Sequence, residues 1–180
     1  MIIHGKGGHG RVVAAAAKAL RIDFLHTDSK DGFEPSPASV VHPAIGDNKA
    51  RSSYRRFPLA SIIHPSAIID PSCTIGEGTF CGAGCVVQTN AKVGQGCIIN
   101  TRSVIEHDCV LGNWCHVAPG AVLCGAATLG EGVFIGANSV VKQGITIAPW
   151  TVIGCGAAVV KDIIFPGTYI GVPAELAGGD

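Results

Sequence analysis

The chain has 180 residues, 47% of them hydrophobic, with 13 basic against 13 acidic side chains and a formal net charge of +0. That balance excludes a bulk attraction for nucleic acid or an anionic membrane surface. Mean hydropathy is positive, yet no apolar run reaches the roughly 18 residues needed to span a bilayer, so a soluble, cytoplasmic protein is expected.

Ile2 to His4 reads as a short strand leading into Gly5-Lys6-Gly7-Gly8-His9-Gly10 and an Ala-rich helical run to Leu20. The stretch from Val12 is too Ala-rich, and too interrupted by Lys18, for a cleaved leader. Gly-x-Gly-x-x-Gly between strand and helix lets backbone amides and the positive helix end approach a diphosphate. A second strand, Ile22 to Thr27, ends at Asp28, where a ribose- or base-reading carboxylate belongs. A tight turn without ligand would explain the glycines alone; strand, glycines, helix and acid in this order favour a nucleotide. Gly5, Gly7, Gly8, Gly10 and Asp28 are therefore candidate substrate ligands. His9 either contacts the nucleotide or stabilises the turn by a hydrogen bond.

Gly32 to Ser39 reads as a loop, and Val40 to Ile45 as a third strand placed at an edge by Pro43. Gly46-Asp47-Asn48 turns the chain into a short helix whose Arg51, Arg55 and Arg56 are expected on a solvated face, with phosphate contact the alternative; Asn48 joins the substrate candidates. A span of about 60 residues is too short for two mononucleotide halves. Residues 1–60 are expected to form a small α/β Rossmann-like domain for a nucleoside diphosphate carrying a sugar, rather than for NAD.

From Ile63 to Val159 an aliphatic residue, or once Cys81, returns every six positions, and the residue four later is small or β-branched. A helix repeats at 3.6 and a strand at 2, so a period of six means short strands joined by regular corners. Three hexads make one triangular coil, and stacked coils make a solenoid with parallel sheets on three sides. Residues 61–180 are assigned to this domain and its C-terminal tail. Of the eight cysteines, Cys73, Cys85, Cys97, Cys109 and Cys115 take the small inward position and Cys81 an aliphatic one. They are expected to be reduced and to pack as small hydrophobes. Cys124 and Cys155 fall off the inward positions, and no Cys/His metal spacing surrounds them.

His107 lies two residues from inward Ile105 and two from inward Cys109, so its side chain should point outward. It sits between Glu106 and Asp108, and a carboxylate there fixes the tautomer and stabilises an imidazolium. His116 follows half a coil later, on a different part of the perimeter. The two histidines would meet most easily across a seam between subunits, which points to a homotrimer. His4, His26, His42 and His64 receive no role.

A Gly-Gly-His-Gly loop opening a stunted Rossmann-like unit, followed by an uninterrupted hexapeptide solenoid, resembles the bacterial nucleotide-sugar N-acetyltransferases of the PglD/NeuD type. The most specific segments are Asn100 to Val110 (with Glu106-His107-Asp108), His116 to Ala121, and Gly171-Val172-Pro173-Ala174. The resemblance implies a left-handed parallel β-helix, a homotrimer with three interfacial sites, acetyl-CoA as cosubstrate and no metal. It gives His107 the role of catalytic base and Asp108 that of its carboxylate partner. It sets His116 at the acetyl end of acetyl-CoA. Outward backbone amides near Gly125 and Gly136 are expected to line the CoA arm, one of them serving the oxyanion, with Ala137, Gly154 and Pro173 as further cofactor candidates and Asn100 and Glu106 as candidates on the substrate side. Relatives commonly carry Lys or Arg after the Val-Pro-Ala segment; this chain has Glu175.

The expected reaction is direct attack of a sugar amine, most simply of a UDP-4-amino-4,6-dideoxy sugar, on the thioester, with dTDP and GDP as other carriers. O-Acetylation of a sialic-acid-type sugar is the alternative enzyme, and a non-catalytic nucleotide-sugar-binding scaffold the alternative outside catalysis. A carbonic-anhydrase-type zinc lyase needs three histidines, whereas the regular coils offer His107 and His116.

Overall fold

A computed structural model describes residues 1–178. Its N-terminal unit is a three-stranded parallel sheet in the order β2-β1-β3, from β1 (Ile2–His4), β2 (Leu25–Thr27) and β3 (Val41–Pro43). Strand β2 is shorter than the Ile22–Thr27 expected because Ile22 closes helix α1 (Gly8–Ala19). Arg21 turns left-handed at φ 56, its N–H donates to the Lys18 carbonyl, and the Ile22 N–H reaches the Ala17 carbonyl, a Schellman ending. Strand β3 lies at one edge, where Pro43 is tolerated, and beyond it Val41 forms an isolated parallel bridge to Leu59. Helix α2 (Asn48–Ser52) is capped by Asp47, whose Oδ1 accepts the Ala50 N–H at 2.6 Å, and it runs on into a 3-10 turn, Ser53–Arg56.

From Ile62 to Val159 two-residue strands recur every six residues and pair in parallel with the strand eighteen residues on, as in Ile98↔His116, Val104↔Val122 and Val110↔Thr128. The result is a β-solenoid of the hexapeptide-repeat type. The second residue of each strand and the residue four later form one apolar core from Cys81 to Ile163. Corners turn through left-handed residues, either glycine or, at Asn90, Arg102, Asp108, Trp114, Ala126, Asn138 and Trp150, a side chain that tolerates the cost. The first coil departs from the inward pattern: Ile63 is 37% exposed, and Ala67, Ile69, Cys73 and Ile75 are half-buried. No coil lies beneath them. The other end is covered by Ile163, which bridges to Ile147, and by the antiparallel pair Thr168–Ile170 and Glu175–Leu176.

The outward residues give the three faces different characters. A docking face carries Ile62, Phe80, Ile98, His116, Phe134 and Val152. An aliphatic face carries Ile68, Val86, Val104, Val122, Val140 and Ala158. A polar face carries Thr74, Lys92, Val110, Thr128 and Thr146. The N-terminal unit packs on the docking face: Ile3, Val13, Ala16, Ala17 and Ala44 enclose Ile62, Phe80 and Ile98, while Val41, Tyr54, Phe57 and Leu59 close over Trp114. Among the described residues no helix is long and apolar enough to cross a membrane.

Candidate active site

The glycines of the first loop divide by cause. A Cβ at Gly5, where φ is +120, would lie 2.6 Å from the Ala44 carbonyl oxygen, and one at Gly10 would lie 1.7 Å from that of Gly5; packing alone demands both. At Gly7 and Gly8 a Cβ would meet nothing within 4 Å, and Gly7 has φ −64. Nothing within the chain forbids a side chain there. These two glycines open helix α1, which has no side-chain cap and no acid in its first turn, so its first amides have no side-chain acceptor among the described residues. His26, which carried no expectation, donates from Nε2 to the Gly5 carbonyl at 2.9 Å and fixes the loop.

Asp28 accepts the Lys6 N–H at Oδ2 (2.8 Å) and the Lys30 N–H at Oδ1 (3.0 Å). Those amides, Lys6 first, hold its carboxyl below the usual range. It braces the loop beside a cavity of about 180 Å³ lined by Lys6, Gly7, Asp28, Lys30 and Asp31. His9 forms no turn hydrogen bond through Nε2, which is buried and unpartnered; the ring stands edge-on to Phe80.

His116 differs from an outward seam histidine. It is 8% exposed under the N-terminal unit, with Nδ1 3.3 Å from the Gly46 carbonyl and Nε2 3.1 Å from the Asn100 amide nitrogen, its ring edge-on to Phe134 and 6.3 Å from that of His9. His9, His42 and His116 all titrate low, at about 3, 4 and 4, chiefly because burial disfavours the imidazolium and also because Arg51 is near.

Arg51 is not on a solvated face. It is 1% exposed and donates to the carbonyls of Gly96, Ile45, Gly46, Trp114 and Cys115 and to Asn48 Oδ1. Burial pushes it down to about 10, so it stays charged. Asn48 spends its amide on the Gly132 and Val133 carbonyls, which leaves that group no hydrogen for a sugar. Together they staple α2 to the corners of three successive coils. The sequence signal is Asn and Arg at i, i+3, facing one way on a helix.

His107 stands at the opposite corner, between the aliphatic and polar faces, with its side chain 61% exposed. Its Nδ1 lies 2.8 Å from Asp108 Oδ2, and Asp108, left-handed at φ 59, is turned toward it. That bond is the main reason the Asp108 carboxyl titrates low, with Asn90 adding to it. The ring lies against Gly125, whose Cβ would sit 2.5 Å from both Cε1 and Nε2. The empty side of Gly125 is thus filled by the histidine, and its N–H donates to no protein group among the described residues. Nε2 has no hydrogen-bond partner among the described residues. Glu106 stays half-buried beside it.

The other CoA candidates have structural reasons of their own. A Cβ at Gly136 would strike the Gly154–Cys155 backbone at 2.5–2.6 Å, and one at Gly154 would strike Ile170 at 2.7 Å, so stacking of the next coil accounts for the first glycine and the covering pair for the second. Ala137 lines a cleft of about 380 Å³ with Thr101, Arg102, Pro119, Gly120 and Asn138, at the corner between the docking and aliphatic faces. Pro173 and Glu175 are exposed near the capped end. No cluster of three or more metal-ligating side chains occurs among the described residues.

The profile of the bacterial transferase hexapeptide family (six repeats) matches residues 90–125. The chain is similar over nearly its whole length to solved acetyltransferases. The acetyltransferase domain of PglB from Neisseria gonorrhoeae FA1090 is 31% identical, covering 97% of each chain at a TM-score of 0.88. PerB from Caulobacter crescentus, in complex with CoA and GDP-perosamine, is 34% identical over 98% of this chain and 96% of its own, at 0.92. WeeI from Acinetobacter baumannii AYE, at 22% identity and 0.82, shares the fold. With its repeat, loop and corner histidine, the chain belongs to the hexapeptide-repeat family of bacterial nucleotide-sugar N-acetyltransferases.

Proposed function

We propose that the protein transfers the acetyl group of acetyl-CoA to the amino group of a nucleotide-linked 4-amino-4,6-dideoxy sugar, at a site shared between neighbouring subunits of a homotrimer. The observation that carries this reading is His107: an exposed imidazole held at Nδ1 by Asp108, with Nε2 free beside an unused backbone amide. In the mechanism the neutral amine attacks the thioester carbonyl carbon, a C–N bond forms, and the carbonyl oxygen takes the negative charge. The Gly125 N–H, beside the ring and without an acceptor among the described residues, is assigned as the donor to that oxygen. The nitrogen gives its proton to Nε2, and Asp108 stabilises the resulting imidazolium. Collapse breaks the C–S bond, and the imidazolium returns the proton to the leaving thiolate.

The faces support the trimer. The aliphatic face is an unbroken stripe from Ile68 to Ala158, with Ile68 64% and Val140 42% exposed. Packing three such faces about a threefold axis brings the His107 corner of one subunit beside the neighbour's other corner, where Asn100 stands with its amide on the buried His116. The opening at Gly7 and Gly8 supports a diphosphate on α1, in a Rossmann-like unit of residues 1–60. CoA would then follow the seam past Ala137. PerB is in complex with GDP-perosamine, whereas UDP is the carrier expected of this chain, so the choice is made by experiment: GDP-, UDP- and dTDP-linked amino sugars offered with acetyl-CoA, with free thiol as the readout. His107→Ala should lower kcat/KM by about 10²–10⁴. Equal thiol release by both proteins would remove His107, and no release with any carrier would favour a scaffold.

A further inference from the structure

Beneath His107 a chain of hydrogen bonds runs down the corner between the aliphatic and polar faces. His107 Nδ1–H donates to Asp108 Oδ2, and the other oxygen of Asp108 accepts the amide of Asn90, one coil below, at 3.3 Å. The Asn90 backbone N–H donates to Ser72 Oγ at 2.9 Å, one coil lower again, and Ser72 donates its hydroxyl to Asp70. Every member sits in the same corner of successive coils, so stacking delivers each to the next.

Asn90 has an ordinary reason to be where it is, since φ is 59 there and asparagine tolerates the left-handed region. That reason does not account for its amide. At the same place in the coils above, Ala126 (φ 58) and Gly144 (φ 71) turn the corner with no side-chain donor. Asp108 is also exposed on its far side, where a cavity of about 320 Å³ is lined by Asn90, Lys92, Asp108 and Val110. A carboxylate with one oxygen on His107 and the other in water swings about its χ angles; a donor on the second oxygen stops it.

We propose that Asn90 is a positioning residue: its amide locks the Asp108 carboxylate, which in turn holds the neutral His107 as the Nδ1–H tautomer and leaves Nε2 unprotonated for the acceptor amine. The assignment rests on His107 being the base. The donor reaches the reacting atom only through Asp108 and touches no substrate.

The test uses Asn90→Gly, which suits a φ of 59 and removes the amide, and Asn90→Asp, which keeps size and left-handed tolerance but donates nothing. In the full-length protein, nitrogen–proton correlation spectra of the histidine rings, with the His107 signal assigned by its loss in His107→Ala, should show mostly Nδ1–H in wild type and a mixture of tautomers in both variants. With the amino-sugar nucleotide at saturating acetyl-CoA, kcat should fall about threefold to tenfold in both, the range of one net hydrogen bond, with KM unchanged. A changed tautomer with unchanged kcat would uphold the positioning and remove His107 from the mechanism. An unchanged tautomer in both variants overturns the role of Asn90.

Discussion

Gly125→Ala separates the geometry of the base from the stability of the fold. A Cβ at 125 would lie 2.5 Å from Cε1 and Nε2 of His107, about 1 Å inside ordinary contact between such atoms. Gly125 is not among the positive-φ glycines, so the backbone accepts alanine, and the loss of freedom in the unfolded chain adds about 0.4–1 kcal/mol of stability. The ring must give way while Asp108 still holds Nδ1, which swings Nε2 off its line by about 1 Å. A misplacement of that size costs about 10²-fold in rate. Thermal unfolding should show a Tm equal to or above wild type, and thiol release should show kcat/KM reduced about 10²-fold. In a His107→Ala background the same substitution should cost nothing further, since there is no ring left to displace. An alanine variant with wild-type kcat/KM would refute both the seating of the ring and its part in the reaction.

Burial lowers His9, His42 and His116 below their unfolded value of 6.5, to between about 3 and 4. Their stability is therefore whole above pH 6.5 and is lost as pH falls toward 4, by about 2 kcal/mol for each imidazole at pH 5; denaturant melts at pH 7.5 and 5 should differ in that sense, and equal midpoints would contradict it. Arg51→Ala strands several buried carbonyls and empties a packed site, so a loss of about 3–5 kcal/mol is expected, with limited proteolysis cutting before residue 60 first. A thiol reagent should modify Cys155 in the native protein, while Cys81, Cys85, Cys97, Cys109 and Cys115 react only on unfolding. Light scattering should give a trimer, and a stable monomer would remove the shared site.

The solenoid is legible in the sequence because one coil imposes the same two inward positions on the next, and a period of six suits neither a helix nor a single long strand. Its first coil is not, because Ile63, Ile69 and Ile75 obey the pattern and differ only in having nothing beneath them. The outward aliphatic stripe is present at spacing eighteen, in Ile68, Val86, Val104, Val122 and Val140, but the stronger inward signal masks it. At the site, the outward direction of His107 and its neighbour Asp108 follows from the hexad. That of His116 does not: an outward position on a bare prism becomes a buried one when another part of the chain lies on that face. Arg51 and Asn48 escape a sequence reading for the same reason, since helix position says which way a side chain points and not what stands opposite. Gly125 and Asn90 depend on contacts one coil away.

A solenoid with a perfect repeat has no address. Its corner offers the same carbonyls every eighteen residues, so the hooks made by Asn48 and Arg51 would fit equally well one storey up or down. The height is chosen by side chains that vary from coil to coil: Trp114, the tryptophan over which Val41, Tyr54, Phe57 and Leu59 close, and Phe80, His116 and Phe134, which stand where other coils carry Ile62, Ile98 and Val152. Exchanging those few side chains for their neighbours along the prism would slide the N-terminal unit, and whatever it carries, by a whole coil of about 4.8 Å. The distance between donor and acceptor groups is thus written in the residues that break the rhythm.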